Sequence, residues 1–166
     1  MAESNRWYNG FCWKERDTKF KVMKRKIALG EIPPASASGC CALCGDPEAQ
    51  LEYHDEDYGE PYLWTEPAVF ALCRNCHRDK LHKRFTRPTA WQALIAHVRR
   101  GGYARDLKDS AIKAEVEACR LAIENQTPFS LRQLRPYLRA VGDEWFAKLR
   151  MDPASLMDRN ARPRRS

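Results

Sequence analysis

Two short stretches, Cys41-Ala42-Leu43-Cys44-Gly45 and Cys73-Arg74-Asn75-Cys76-His77, decide the fold of this chain. Each is a C-x-x-C knuckle. Four thiolates drawn from two such knuckles can surround a Zn²⁺ ion tetrahedrally, and the ion then closes a loop that a small apolar core would hold poorly alone. Cys40 competes with Cys41 for the first position through a one-residue shift. Cys12 and Cys119 read as a free thiol and a buried helix residue. Two other uses of the motif fit less well. Cys73-Arg-Asn-Cys76-His77 matches the c-type haem attachment pattern, but haem would leave Cys41 and Cys44 unexplained. A redox dithiol needs a βαβ context that is not visible.

Outward from the knuckles, charge is sharply segregated. Residues 40–73 hold eight acidic residues and no Lys or Arg, whereas residues 74–108 hold ten basic residues and two acidic ones, within a chain of 166 residues and net charge +7. An acidic island between basic flanks suits a cation site set in a polyanion-binding surface. No apolar run approaches the roughly 18 residues of a membrane span, and the first residues lack the apolar segment of a secretory signal. The expectation is a cytoplasmic protein with reduced thiols and no membrane partner.

The chain divides into a basic N-terminal extension and linker (1–39), a Cys-rich unit (40–86), a helical region (87–158) and a basic tail (159–166). Residues 14–29 form a short basic helix that Gly30 and Pro33-Pro34 stop. Strands fall near Gln50 to His54 and Val69 to Leu72, and a helix begins near Cys76 or His77. Trp91, Leu94, Ile95 and Val98 follow the i, i+3, i+4, i+7 pattern, with Pro88 before them and Gly101-Gly102 after. Ile112, Val116, Cys119 and Ile123 repeat it behind a cap at Asp109. Leu131, Leu134 and Leu138 continue after Ser130, and Trp145, Phe146 and Leu149 after Asp143. These stripes are core positions.

A second group of metal-ligating types is His54, Asp55, Glu56, Asp57, His77 and His82. A calcium loop starting at Asp55 fails, because its sixth position is Glu60 where glycine is required. Imidazole mixed with carboxylate suits a catalytic divalent ion. The plainer reading has His77 packing beside the zinc and His54 on the surface.

The order Cys41-x-x-Cys44-Gly, Glu52-Tyr-His54-Asp-Glu-Asp57-Tyr58-Gly-Glu-Pro61, Leu72-Cys73-x-x-Cys76-His77, Leu81-His82 resembles the HNH endonucleases, most closely their small zinc-knuckle phage and bacterial forms. The resemblance covers residues 40–86. It implies a zinc-stapled ββα-metal unit, which together with the helical C-terminal half read from the apolar stripes makes an α+β fold. It implies metal-dependent hydrolysis of DNA phosphodiester bonds. In the family a first-strand histidine activates water, and a divalent ion (Mg²⁺, Mn²⁺ or Ni²⁺) stabilises the phosphate and the leaving oxygen.

Carried over, the catalytic residues are His54, Asp55 and His77; the catalytic ion is held among Asp55, Asp57, His77 and His82; and the structural zinc is held by Cys41, Cys44, Cys73 and Cys76. If His54 is the base, Asp55 or Asp57 supplies the carboxylate ligand. If His54 is the ligand, Asp55 stands in the base position. His77 and His82 lie about 140° apart on an α-helix, so both reach one ion only if the helix starts late or ends early. Lys24, Arg25, Lys26, Arg74, Arg78, Lys83 and Arg84 are the expected phosphate contacts. The alternative is a zinc-binding nucleic-acid module without catalysis.

Overall fold

Helix α1 spans Trp13–Ala28 in the computed structural model, which describes residues 8–134, 143–149 and 151. Its first turn is closed by Glu15, whose Oε2 accepts from the Cys12 N–H at 2.8 Å. Its last turn is closed by Gly30 at φ +72°, a left-handed conformation that costs glycine least, with the Glu31 N–H reaching back to the Lys26 carbonyl at 2.9 Å.

A two-stranded antiparallel sheet follows: β1 (Leu51–Asp55) and β2 (Val69–Cys73), in the register Leu51 to Cys73 and Asp55 to Val69. β1 lies one residue later than the stretch the sequence suggests, and β2 runs one residue longer. Because strand side chains alternate, Glu52 and His54 share one face, and Tyr53 and Asp55 the other. The second face meets α1, where Met23, Ala68 and Val69 form a small core flanked by Ile27, Ile32, Tyr53 and Trp64.

After β2 the chain turns into a π-helix, Cys76–Leu81, and then a 3₁₀ turn, His82–Phe85. Helix α2 (Pro88–Arg99) opens on proline and ends at Gly101 and Gly102. Helix α3 (Ser110–Glu124) is capped by Asp109, whose Oδ1 accepts from the N–H groups of Ala111 and Ile112 at 2.8 and 3.0 Å. Helix α4 is short, Asp143–Lys148. The architecture is mixed: helices around a small two-stranded sheet.

The main core joins both halves of the chain. Leu43, Phe70, Leu72 and Leu81 pack with Trp91, Leu94, Ile95 and Val98 of α2 and with Trp145, Phe146 and Leu149 around α4. The boundary drawn at residues 86/87 therefore divides the sequence but not the core. Val116 and Cys119 of α3 pack on Ala93, with Ile112, Ile123 and Leu131 at the margin. A polar group with buried His97 and Arg100 ties the end of α2 to the connection that follows. His97 lies 3.2 Å from Asp106 through Nε2, and Arg100 Nε donates to its Nδ1 at 3.0 Å.

One helical expectation is corrected. Residues 127–134 carry neither helix nor strand, although Leu131 and Leu134 have helical spacing; so short an apolar stripe does not by itself offset helix nucleation. Leu138 and the basic tail 159–166 lie outside the described residues. Among the described residues, no helix is long and apolar enough to cross a membrane.

Candidate functional site

The two knuckles meet. One sulfur from each of Cys41, Cys44, Cys73 and Cys76 lies within 4.8 Å of the others. The turn after the first knuckle is held by the Gly45 N–H to the Cys41 carbonyl at 2.8 Å, and Gly45 takes φ +67°. A Cβ at Gly45 would stand 2.4 Å from the Tyr103 ring. The start of the second knuckle's helix points the Cys76 N–H at Cys73 Sγ, 3.4 Å away. Cys44 and Cys73 sulfurs are 3.8 Å apart. That is far beyond a disulfide bond, and it matches the roughly 3.8 Å edge of a sulfur tetrahedron around zinc at 2.3 Å. Hydrogen bonds from Cys44 and Cys76 push the Cys41 thiol down, and the same contacts push Cys44 and Cys76 up. The four residues fit a structural metal ion such as zinc. Cys40 is partly buried and stands outside the group, whose first member is Cys41.

A second cluster lies on the other side of the knuckle helix. His54, His77 and His82 each offer a ring nitrogen within 4.8 Å of the others. The π-helix brings the last two together. The His82 N–H bonds to the His77 carbonyl, an i→i+5 contact, so the residue five positions on comes back over the first rather than standing about 140° away as it would on an α-helix. Their ring centroids are 4.6 Å apart.

Two carboxylates set the orientation of these rings. His54 Nε2 is 2.6 Å from Glu56 Oε1, and His77 Nδ1 is 2.6 Å from Glu52 Oε1. An ionised carboxylate only accepts, so those two ring nitrogens carry the protons. The opposite nitrogens, His54 Nδ1 and His77 Nε2, then both present lone pairs, and they face each other at 2.9 Å. Two lone pairs at that distance repel unless a proton or a cation lies between them. Burial pushes His54 down to about 4, which disfavours the extra proton there. A cation satisfies both. This is the carboxylate–histidine arrangement that orients metal ligands and raises their basicity. His82, although its edge is open to solvent, is also lowered, by desolvation and by His77 and His54.

Behind His54 stands a buried polar network. Arg84 is fully buried and grips both oxygens of Glu56, at 2.9 and 3.0 Å. It also donates to Tyr8 Oη at 3.1 Å and Asn9 Oδ1 at 3.2 Å, and Asn9 donates to Glu56 Oε2 at 2.6 Å. Burial raises the Glu56 pKa, but His54 and Arg84 more than offset it, and the carboxyl stays below its ordinary value.

Several expected site residues lie elsewhere. Asp55 is on the opposite face of β1 from His54, and the Lys19 ammonium lies 2.7 Å from its Oδ1. Strand alternation turns it away from the three imidazoles, so it neither joins them nor stands beside them as a base. Asp57 is exposed, and its Oδ1 accepts from the Gly59 N–H at 2.8 Å. Arg84 cannot meet a phosphate, being spent on Glu56. Lys26 pairs with Glu31, and Lys83 with Asp79 at 3.2 Å. Lys24, Arg25, Arg74 and Arg78 are exposed. Sequence reasoning missed Glu52, the partner of His77, and Tyr8 and Asn9. It counted Glu56 in the acidic cluster without assigning it a role. The signal was available: Glu52-x-His54-x-Glu56 alternates with the period of a strand, so all three point to one side.

The cluster opens onto a groove of about 550 Å³ between α1 and the sheet, lined by Tyr8, Arg16, Tyr58 and Arg78 among others. Comparison of the chain with protein-family models, with curated proteins and with solved structures finds no match.

Proposed function

We propose that this protein is a metal-dependent nuclease with an HNH-like ββα-metal centre that hydrolyses DNA phosphodiester bonds. The observation that carries the reading is the pair of carboxylate-anchored imidazoles, His54 and His77, whose lone pairs converge beside His82 at the floor of an open groove lined by Arg16, Lys24 and Arg78 and by Asp17, Glu52 and Asp55. His54, His77 and His82 would hold the ion. A divalent ion bound there would supply Lewis acidity toward a phosphoryl oxygen and lower the pKa of water toward neutrality, so the chemistry would not depend on Asp55 as a base. Glu52 and Glu56 hold the two rings in the ligating tautomer, and Arg84 keeps Glu56 ionised. Arg16, Lys24 and Arg78 line the groove where a phosphate backbone would run.

A second reading, a zinc module that binds nucleic acid without cutting it, is favoured by one observation: Asp55, the neighbour of His54, is committed to Lys19. Incubation of purified protein with supercoiled plasmid and with single-stranded DNA, in Mg²⁺, Mn²⁺, Ni²⁺ or Zn²⁺, separates the two. Nicking or cutting by the wild type, abolished in His54→Ala and His77→Ala with the cysteine-bound metal retained, is the expected result. Binding without cleavage in every metal would leave the binder.

A further inference from the structure

The groove has a second wall. Helix α1 turns toward it a stripe made of Trp13, Arg16, Phe20 and Lys24, all of which line the same space as His54, His77 and His82. At 100° per residue these four fall within about 80° of arc. Trp13 and Phe20 are 51% and 50% exposed. Lys24 Nζ lies 4.6 Å from the Phe20 ring centroid, and the Arg16 guanidinium lies 5.9 Å from that of Tyr8.

We propose that this face of α1 is a stacking platform for the unpaired bases of a single-stranded nucleic acid, which it leads to the histidine cluster. The proposal rests on the nuclease reading and names its substrate class. Aromatic rings interleaved with cations match a strand that offers a base face and a phosphate at each step; base–aromatic stacking is tolerant of sequence because every base has such a face. A duplex buries its base faces within the stack and could use only the cations. An apolar peptide would use the rings but would meet Arg16 and Lys24 between them, on a helix with seven Lys or Arg and two acidic residues. Trp13 and Phe20 are seven residues apart, about 10.5 Å along the helix, so each ring can take a base of its own.

The test is fluorescence anisotropy with a labelled 12-nucleotide oligo(dT) and a labelled 12-base-pair duplex, without added divalent metal. The single strand should bind at least tenfold more tightly. Trp13→Ala and Phe20→Ala should each weaken single-strand binding by about 5- to 150-fold, with duplex binding unchanged and Trp13→Phe restoring most of the loss. Both side chains are half-exposed, and circular dichroism and zinc content would verify that each variant folds. Equal or tighter duplex binding, no binding of either probe, or unaltered single-strand affinity in both alanine variants would overturn the proposal. Plasmid cleavage that is indifferent to Trp13 would sink the platform and leave the nuclease standing. Trp13-dependent single-strand binding without cleavage in any metal would uphold the platform and remove the hydrolase.

Discussion

Replacing Arg84 with methionine removes a guanidinium that has no exposed side-chain surface and leaves Glu56, 11% exposed, without its cation. Two charges about 4 Å apart at an effective dielectric near 20 attract by about 4 kcal/mol, and breaking a buried pair by deleting one partner costs about 3–5 kcal/mol. For a chain of this length each kcal/mol lowers the melting temperature by about 2–4 °C, so the variant should melt about 6–20 °C below the wild type. The loss should be smaller in Arg84→Met/Glu56→Gln, where no charge is stranded. The same change should reach the histidines. Glu56 orients His54 through Nε2, and loss of a ligand's outer partner lowers metal affinity by about 10–100-fold. Urea or thermal denaturation measures the first effect, and cobalt(II) titration monitored by absorbance measures the second. An Arg84→Met variant that melts with the wild type, but binds DNA more weakly and loses about one unit of salt slope, would mean that Arg84 is a surface phosphate contact. The buried-network account would then be wrong.

Cys44→Ser should release the structural metal and unfold much of the chain, since zinc binding worth about 10–16 kcal/mol is comparable to a typical total stability of about 5–15 kcal/mol; elemental analysis and near-ultraviolet circular dichroism would register both. Lys19→Met should destabilise by about 3–5 kcal/mol by stranding Asp55, whereas Asp55→Asn should leave cobalt binding at the histidines unchanged because it lies on the other face of β1; denaturation and titration distinguish these. His97 is lowered by burial and by Arg100, so the unfolded chain takes up its proton first. Stability from this residue is present above the unfolded value of about 6.5 and is lost as pH falls below it toward the folded value. A His97→Gln variant should show a flatter melting profile between pH 7 and 5.

What the sequence made legible follows from how local each signal is. A C-x-x-C knuckle is a short-range motif whose geometry needs only a turn or a helix start, and both knuckles end at one point. Helices α2 and α3 carry full apolar stripes with a proline or an aspartate at the entry, so propensity, capping and packing agree. The histidine site was harder to read. His77 and His82 look mismatched on an α-helix, and only the i→i+5 turn reconciles them; nothing in His77-Arg-Asp-Lys-Leu-His82 announces a π-helix. Asp55 and Asp57 drew attention because they adjoin His54 in sequence, yet strand alternation sends the immediate neighbour away and recruits Glu52 and Glu56 instead. Arg84 sits in a run of basic residues that reads as solvated. Its burial depends on Tyr8, Asn9 and Glu56, which are at least 28 residues away, a tertiary relation that no local pattern encodes.

The most direct measurement of the central claim is anomalous diffraction from crystals grown with Mn²⁺ or Co²⁺, recorded at that metal's edge and at the zinc edge. The account predicts two separate peaks: one among Cys41, Cys44, Cys73 and Cys76 at the zinc edge, and one within bonding distance of His54 Nδ1 and His77 Nε2, with His82 completing its side. A single peak at the cysteines, with His54 and His77 joined by a shared proton and no density between them, would contradict it.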